Sequence, residues 1–296
     1  MAGWNGLAVA ALASAAVVLS DTEQNDAAGQ DDAVEQEDAR RILRAAEDAA
    51  AYLLRVHRTG ATLRRVSFNG VAQGIEGLLE DYAGAAEGLF TLYAATGNED
   101  WYAAAESLVL AAESRFLAGG VLQDTALRPN QLVNAQGAQA AADPLDGPTP
   151  SGAALFAGVL LTYSAYSGSL RHRDLAQSLL KYVQVVGAQA PQAAGWAMSV
   201  LQFLLEGPRE LAVTGTDPEA VEELLRAARD AGGPGLVVAA RIGTDTAGGP
   251  AGDTRVPLLE GRDPGSKPAV AYLCRGMVCL RPVGTAAELR DLIAGQ

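Results

Sequence analysis

The chain has 296 residues, 49% of them hydrophobic, and 35 acidic residues against 22 basic ones give a formal net charge of −13. The apolar content is sufficient for a sizeable core, and the charge excludes a nucleic-acid-binding protein, which needs clustered Lys and Arg. With only two cysteines, a disulfide-built secreted scaffold is excluded as well, which favours a reducing, cytoplasmic location.

The first apolar segment, "LAVAALASAAVVL" at residues 7–19, has the composition of a signal peptide. It lacks the positively charged region that precedes the apolar part of such a peptide. At thirteen residues it is also too short to cross a bilayer. We therefore expect a core helix and no membrane association.

Apolar residues at helical spacing predict seven helices up to residue 206. Their predicted bounds are 4–20, 34–57, 79–97, 99–117, 150–167, 170–186 and 190–206. Between the second and third helices, the alternation in "ATLRRVSFNGVAQGI" predicts a short hairpin or an extended excursion. This part of the chain is expected to form one helical domain, residues 1–206.

The pattern changes after residue 206. "ELAVTG" and "GLVVAARIG" are short apolar runs that flank the helix-like "DPEAVEELLRAARDAG", which predicts a βαβ unit with parallel strands. "AVAYLCRGMVCLRPV" then predicts two strands around a tight turn, and "TAAELRDLIAG" a closing helix. Residues 207–296 are therefore expected to form a small α/β segment.

Several predicted helices begin with polar or aromatic groups. If the helices alternate between an inner and an outer ring, the N-termini of the inner helices meet at one mouth, which suits an anionic or hydroxyl-rich ligand. The alternative is structural, because capping alone favours Asn, Asp and Ser at helix starts. The residues predicted to contact a ligand there are Trp4, Asn5 and Ser151.

A glycosidase-like or lyase-like reaction needs two carboxylates that face each other across a sugar. Asp81 and Asp146 are the predicted pair, with Glu80 as a substitute and Tyr82 as a stacking or proton-sharing group. The two histidines of the chain, at residues 57 and 172, fall on predicted outer helices, which argues against a histidine-based epimerase. Neither a metal nor a cofactor is expected.

Cys274 and Cys279 flank "RGMV" in the predicted terminal hairpin. Facing positions there are compatible with a disulfide, with a poor metal site or with two buried thiols. A zinc site would require further ligands, and no other Cys or His lies nearby in sequence. We favour buried structural thiols, with a reversible redox pair as the alternative.

Five segments, taken in order, resemble the C-terminal portion of the spermatogenesis-associated protein 20-like, or YyaL-type, family of thioredoxin-domain proteins. They read "WNGLAVAALA", "LLEDYAGAAEGLFTLYAATGNEDWYAAAESL", "DGPTPSGAALFAGVLL", "GPRELAVTG" and "AYLCRGMVCLRPVGTAAELRDLI".

The resemblance implies a mainly α fold, a partial (α/α)6 toroid of about three and a half helical hairpins, followed by a small C-terminal α/β segment. Such six-hairpin toroids are similar to sugar epimerases and some glycosidases. The implied function is the binding of a small carbohydrate-like ligand, with any enzymatic activity glycosidase- or epimerase-like. The alternative is a non-catalytic scaffold or a redox-linked partner of a thioredoxin-fold domain, with Cys274 and Cys279 as its redox contact.

Two features depart from the family pattern. The sequence contains neither a thioredoxin domain nor a Cys-x-x-Cys motif, and Ala153 stands where relatives commonly have Asn. We therefore expect the partner to be a thioredoxin-like domain or an N-terminal half-toroid on another chain. Self-association into a homo-oligomer is the alternative way to cover exposed apolar helix faces.

Overall fold

A computed structural model of the chain describes residues 1–22, 32–126, 141–233, 235–243 and 254–295. The described part is mainly helical with small sheets, which confirms the predicted class. It forms two compact units, of which the first comprises Met1–Ala95, Asp100–Leu160 and Leu175–Leu201, and the second Thr96–Glu99, Leu161–Asp174 and Gln202–Gln296. The domain boundary predicted between residues 206 and 207 stays a prediction.

Eight α-helices precede the four-stranded sheet in the described residues, with a short 3-10 helix at Pro191–Ala193 between the last two. They are α1 (Ala2–Thr22), α2 (Asp32–Tyr52, continued by a π-helical turn at Leu53–His57), α3 (Leu79–Thr96), α4 (Glu99–Phe116), α5 (Gly152–Ser167), α6 (Leu170–Leu179), α7 (Val183–Gln189) and α8 (Gly195–Glu206). One prediction is wrong, because the expected helix 170–186 is interrupted. At the interruption the Val183 N–H bonds to the Leu180 carbonyl, an i→i+3 bond that tightens the chain into a turn.

Three hairpins, each with strands of two residues, connect helices in the first unit. The predicted excursion at residues 61–75 contains one complete hairpin and the second strand of another. The third hairpin, after α4, was not predicted because "LAGGVL" offers only two strand residues on each side of its glycines. Their strands are β1 (Arg58–Thr59) with β2 (Thr62–Leu63), β3 (Ser67–Phe68) with β4 (Val71–Ala72), and β5 (Leu117–Ala118) with β6 (Val121–Leu122).

Glycines allow α1 and α3 to approach each other closely. A Cβ atom on Gly6 would collide with the backbone of Gly84, and one on Gly88 would collide with the Gly6 carbonyl. Both helices therefore need glycine at their crossing, and α3 is held with its first turn beside the first turn of α1.

The N-terminal helix is longer than the sequence suggested. The window Ala2–Ser20 has 19 residues and a mean hydropathy of 1.7, so by length and composition it is able to cross a membrane. The expectation that this segment is too short was wrong, because the apolar helix extends beyond residues 7–19 on both sides. A third of the window, 33%, is buried within the protein, including Val9, Ala13 and Ala16.

The second unit contains a four-stranded sheet of β7 (Arg209–Gly215), β8 (Leu236–Ile242), β9 (Ala269–Arg275) and β10 (Val278–Cys279), in the order β10-β9-β7-β8. Strands β7 and β8 are parallel and joined by α9 (Pro218–Gly232), which confirms the βαβ prediction. Strand β9 runs antiparallel to β7 and to β10, and α10 (Ala286–Ala294) closes the chain. The apolar side chains of α9 and α10 pack with those of the sheet in one buried cluster, which includes Leu211, Val213, Val221, Leu224, Leu289 and Ile293.

The two cysteines face each other on β9 and β10 as register partners. Their sulfur atoms are joined in a disulfide between Cys274 and Cys279. The favoured expectation of two separate buried thiols was therefore wrong. The antiparallel pairing places both side chains at the same level of the ladder, where adjacent Cβ atoms bring the sulfurs within bonding reach.

Candidate functional site

Asp81 stabilises the start of α3. Leu78 precedes the helix and Asp81 is its third residue, so the carboxylate reaches back to the Leu78 N–H (3.0 Å), as in a capping box. It also accepts hydrogen bonds from the Gly3 N–H (2.9 Å) and from Arg65 (2.7 Å). Asp81 is 1% exposed, and its carboxylate is engaged in these hydrogen bonds within the protein. Contrary to the prediction, it does not face a ligand mouth.

Glu80 lies in a different environment from its neighbour. Its carboxylate pairs with Arg65 at 2.6 Å, and 29% of the side chain is exposed. Burial lowers the pKa of Arg65, but the hydrogen bonds and charges of Glu80 and Asp81 outweigh burial and raise the pKa above its ordinary value. The substitute acid of the sequence prediction is therefore the one that remains accessible.

Tyr82 points into the core. Its hydroxyl accepts a hydrogen bond from the Leu63 N–H (2.7 Å) and donates to the Ala61 carbonyl (3.3 Å). The ring is fully buried and stands edge-on to Phe116, with the ring centroids 5.2 Å apart. Burial raises the pKa of Tyr82, so the phenol stays protonated and fixes the β1–β2 hairpin to α3.

The carboxylate of Asp146 is also engaged in hydrogen bonds with backbone groups. Its two carboxylate oxygens accept hydrogen bonds from the Ser151 N–H (2.9 Å) and from the Trp196 N–H (2.8 Å) in the first turn of α8. Burial raises the pKa of Tyr182 to about 12, and the charge of Asp146 contributes to that shift. Asp146 thus connects the loop before α5 to the start of α8, where a carboxylate also meets the positive end of the helix dipole.

Ser151 is the N-cap of α5. Its hydroxyl oxygen accepts a hydrogen bond from the Ala154 N–H (3.1 Å) and donates one to the Pro144 carbonyl (3.2 Å). Trp4 and Asn5 lie in the first turn of α1, and both are exposed, Trp4 to 57%. The Asn5 side chain donates to the Met1 carbonyl at 2.6 Å. Of these three predicted ligand contacts, Ser151 alone lines the cavity described next.

A cavity of about 240 Å³ opens at the heads of α3 and α5. Its wall combines three carboxylates, two hydroxyl side chains and several apolar groups. The lining residues are Leu78, Glu80, Asp124, Asp143, Leu145, Gly147, Thr149, Pro150, Ser151 and Gly152.

Asp124 is fixed at the cavity by two hydrogen bonds. Its carbonyl accepts from the Leu79 N–H (3.0 Å) at the start of α3, and its carboxylate accepts from the Asp143 N–H (3.0 Å). Burial raises the pKa of Asp124, the Asp143 N–H opposes this in part, and the charges of Asp143 and Glu80 raise it further. A carboxyl group with such neighbours takes up a proton more readily than an ordinary one.

Gly152 permits the close approach of the two helix heads. A Cβ atom there would lie 3.0 Å from the Glu80 nitrogen and 3.4 Å from a carboxylate oxygen of Asp124. Any side chain at this position would press against the head of α3 and enter the space between the two acids. The glycine therefore maintains both the helix contact and the opening of the cavity.

Asp124 and Asp143 were missed by the sequence analysis. Both lie in loops, after β6 and before α5, where no helix head or motif marks them. Charge alone does not distinguish a loop carboxylate that faces a cavity from one that faces solvent. Their role becomes visible only when the Asp124–Asp143 hydrogen bond and the contact with α3 are known.

The two histidines are held by local contacts. His57 is buried in the π-helical turn, where Nδ1 lies 2.8 Å from the Arg64 carbonyl. In the second unit, Nδ1 of His172 lies 2.6 Å from the Ser169 hydroxyl. Neither histidine lines the cavity, and no cluster of three or more His, Cys, Asp or Glu suited to a metal ion occurs in the described ranges.

Comparisons with known proteins identify no family. No protein-family model matches the chain, and no curated protein matches it either.

Proposed function

We propose that the protein binds a small, polyhydroxylated, carbohydrate-like ligand in the cavity at the heads of α3 and α5. The observation that carries the proposal is the composition of the wall, with Glu80, Asp124 and Asp143 beside the hydroxyls of Thr149 and Ser151. Carboxylates accept hydrogen bonds from several hydroxyls at once, and apolar groups offer a surface to a sugar ring.

Size and charge narrow the ligand class. Sites for drug-sized molecules typically measure roughly 300–1,000 Å³, so a cavity of about 240 Å³ suits a single sugar unit better than a chain. The three carboxylates of the wall repel an additional negative charge. A neutral sugar therefore fits better than a sugar phosphate, despite the two helix N-termini nearby.

Two of the acids differ in a way that supports proton transfer. Asp124 has a raised pKa, while Glu80 is paired with the Arg65 guanidinium. A carboxyl group that takes up a proton more readily than usual, beside a carboxylate paired with a cation, is an arrangement that suits glycosidase-like chemistry. If the protein is an enzyme, the proposal assigns the general acid to Asp124 and the base or stabilising carboxylate to Glu80.

The toroid arrangement and the family relationship belong to this proposal. The ordered segments that resemble the spermatogenesis-associated protein 20-like family include "LLEDYA" and "DGPTPSG", which supply Glu80, Thr149 and Ser151 to the cavity. The resemblance implies a six-hairpin toroid that binds sugars at the N-terminal ends of its inner helices, and the position of the cavity at the heads of α3 and α5 supports the proposal. A complete six-hairpin ring needs more helices than the described residues contain before the sheet.

Isothermal titration calorimetry with a panel of neutral monosaccharides and the corresponding sugar phosphates tests the proposal. We expect at least one neutral sugar to bind, and to bind more tightly than its phosphate. Asp124→Asn should weaken that binding about tenfold or more, equivalent to about 1.4 kcal/mol. Asp48→Asn, at an exposed position of α2, is the matched control and should bind like the wild type.

Two results would overturn the proposal. One is the absence of binding across the whole panel. The other is an Asp124→Asn variant that binds the sugar as tightly as Asp48→Asn does, because the cavity carboxylate would then make no contact with the ligand.

A further inference from the structure

The disulfide between Cys274 and Cys279 has one exposed and one buried end. Cys274 lies on β9 with 2% of its surface exposed, while Cys279 lies on the edge strand β10 and is exposed. The edge strand has no strand on its far side in the described sheet. A reagent in solution therefore reaches the sulfur of Cys279 before that of Cys274.

A buried cation lies against both sulfurs. The Arg262 side chain is 9% exposed, and its Nη2 lies 3.0 Å from Sγ of Cys279 and 3.4 Å from Sγ of Cys274. Its other terminal nitrogen donates to the Leu258 carbonyl. Among the described residues, no carboxylate forms an ion pair with Arg262, so a buried guanidinium faces two neutral sulfurs.

Glu210, the acid whose charge acts on Arg262, forms its hydrogen bonds elsewhere. Glu210 is the register partner of Cys274 on β7, and its carboxylate accepts hydrogen bonds from the Gly276 N–H (3.0 Å) and the Met277 N–H (3.1 Å). These two groups form the turn of the hairpin that carries the disulfide. Glu210 thus fixes the hairpin and acts on Arg262 by its charge without a direct ion pair, so the guanidinium keeps its contacts with the two sulfurs.

We propose that this disulfide is a reducible site at which a dithiol attacks Cys279, with Arg262 stabilising the departing thiolate of Cys274. Exposure determines which sulfur is attacked. A neighbouring cation lowers the pKa of a thiol, and a thiol of lower pKa leaves faster in thiol–disulfide exchange. The inference is independent of the sugar-binding proposal, because it concerns the second unit alone.

The exchange balances in two steps. A thiolate of the dithiol forms a bond to Sγ of Cys279, the Cys274–Cys279 bond breaks, and its electron pair leaves on Sγ of Cys274. The second thiol of the reagent, after losing its proton, attacks the reagent's own sulfur in the mixed disulfide and releases Cys279. The dithiol is oxidised to a disulfide, the two cysteines are reduced, and the protons lost by the reagent balance those of the new thiols.

The site of attack is tested on the native wild-type protein. A brief reaction with glutathione, a monothiol that stops at the mixed disulfide, is followed by acid quenching and alkylation with N-ethylmaleimide. Trypsin cleaves after Arg275 and so separates the two cysteines for mass spectrometry. We expect glutathione on Cys279 and N-ethylmaleimide on Cys274. The reverse distribution, or a native disulfide that resists excess thiol, would overturn the proposal.

The role of Arg262 is tested by the rate of reduction with dithiothreitol at pH 7. Arg262→Met should slow reduction about tenfold or more, because the leaving thiolate loses its cation. Arg281→Met removes an exposed positive charge two residues after Cys279 and should change the rate less than about twofold. Equal rates for Arg262→Met and the wild type would refute the assignment.

Arg262→Lys provides a second variant in case the methionine variant fails to fold. The ammonium keeps the charge but not the planar contact with both sulfurs. The reduction of Arg262→Lys should be slower than that of the wild type or Arg281→Met and faster than that of Arg262→Met. If Arg262→Met does not fold, the lysine variant serves as the test. The proposal is contradicted if Arg262→Lys is reduced as fast as the wild type and glutathione is found on Cys274.

Discussion

Adjacent acids at the head of α3 have opposite roles. Asp81 accepts hydrogen bonds from two backbone N–H groups and from Arg65 and is almost completely buried, whereas Glu80 pairs with the same arginine but lines the cavity. The same division separates Asp146, held by two backbone N–H groups, from Asp124. A carboxylate whose oxygens are satisfied by the protein maintains the fold, and one that faces the cavity remains available to a ligand.

The largest effect is expected from Asp81→Asn. The amide turns an N–H₂ group toward backbone donors and weakens the bond to Arg65, which keeps its ion pair with Glu80. The loss of two charge-assisted hydrogen bonds, worth about 1.5–3 kcal/mol each, should lower the free energy of unfolding by about 3 kcal/mol or more. Urea denaturation monitored by circular dichroism measures this, with Asp48→Asn as the control. An Asp81→Asn variant as stable as the control would show that the Asp81 carboxylate does not stabilise the fold.

Asp146→Asn should have the next largest effect. The asparagine oxygen keeps one of the bonds to Ser151 and Trp196 and loses the other, which is a charge-assisted bond worth about 1.5–3 kcal/mol. We expect a loss of this size in the free energy of unfolding, measured in the same way. If Asp146→Asn weakens sugar binding without loss of stability, the original assignment of Asp146 to the ligand would be restored.

A smaller loss is expected for Tyr82→Phe. Removal of the hydroxyl leaves the Leu63 N–H without its acceptor in a buried position, which costs about 1–3 kcal/mol. Thermal unfolding should show a lower midpoint and calorimetry an unchanged affinity for the sugar. A catalytic or stacking role for Tyr82 would instead reduce affinity at unchanged stability.

Asp124→Asn should leave the stability unchanged or slightly raised at pH 7. Because the pKa of Asp124 is raised in the folded protein, the wild type loses stability as the pH rises from the ordinary carboxyl pKa of about 4 through the folded value. The variant has no such loss, so the difference should vanish at lower pH. Denaturation curves across this pH range measure the difference in stability between the variant and the wild type. A variant less stable than the wild type at pH 7 would show that Asp124 maintains the fold, as Asp81 does.

The fold was more predictable than the site. Helical periodicity and the βαβ pattern are local, and they located α3, α4 and the β7–α9–β8 unit closely. The break at residues 180–182 carries no Gly or Pro and depends on tertiary packing, so periodicity continued through it. The disulfide was one of several alternatives, because sequence does not give the register of β9 and β10.

The acidic residues show why the site was not predicted from the sequence. Acidic residues at a helix head suit both capping and ligand contact, and the choice between Glu80 and Asp81 depends on Gly3, Leu78 and Arg65. Gly3 and Arg65 become neighbours of α3 only in the folded chain. Asp124 carried no signal at all, since its importance comes from the approach of α5 at Gly152.

Carboxyl footprinting tests the division of the acids most directly. The native protein is treated briefly with a water-soluble carbodiimide and glycine ethyl ester, and the modified positions are identified by mass spectrometry. We expect modification of Glu80, Asp124 and Asp143, with Asp81 and Asp146 unmodified until the protein is denatured. Modification of Asp81 or Asp146 in the native protein to the same extent as Asp124 would contradict the division between structural and cavity acids.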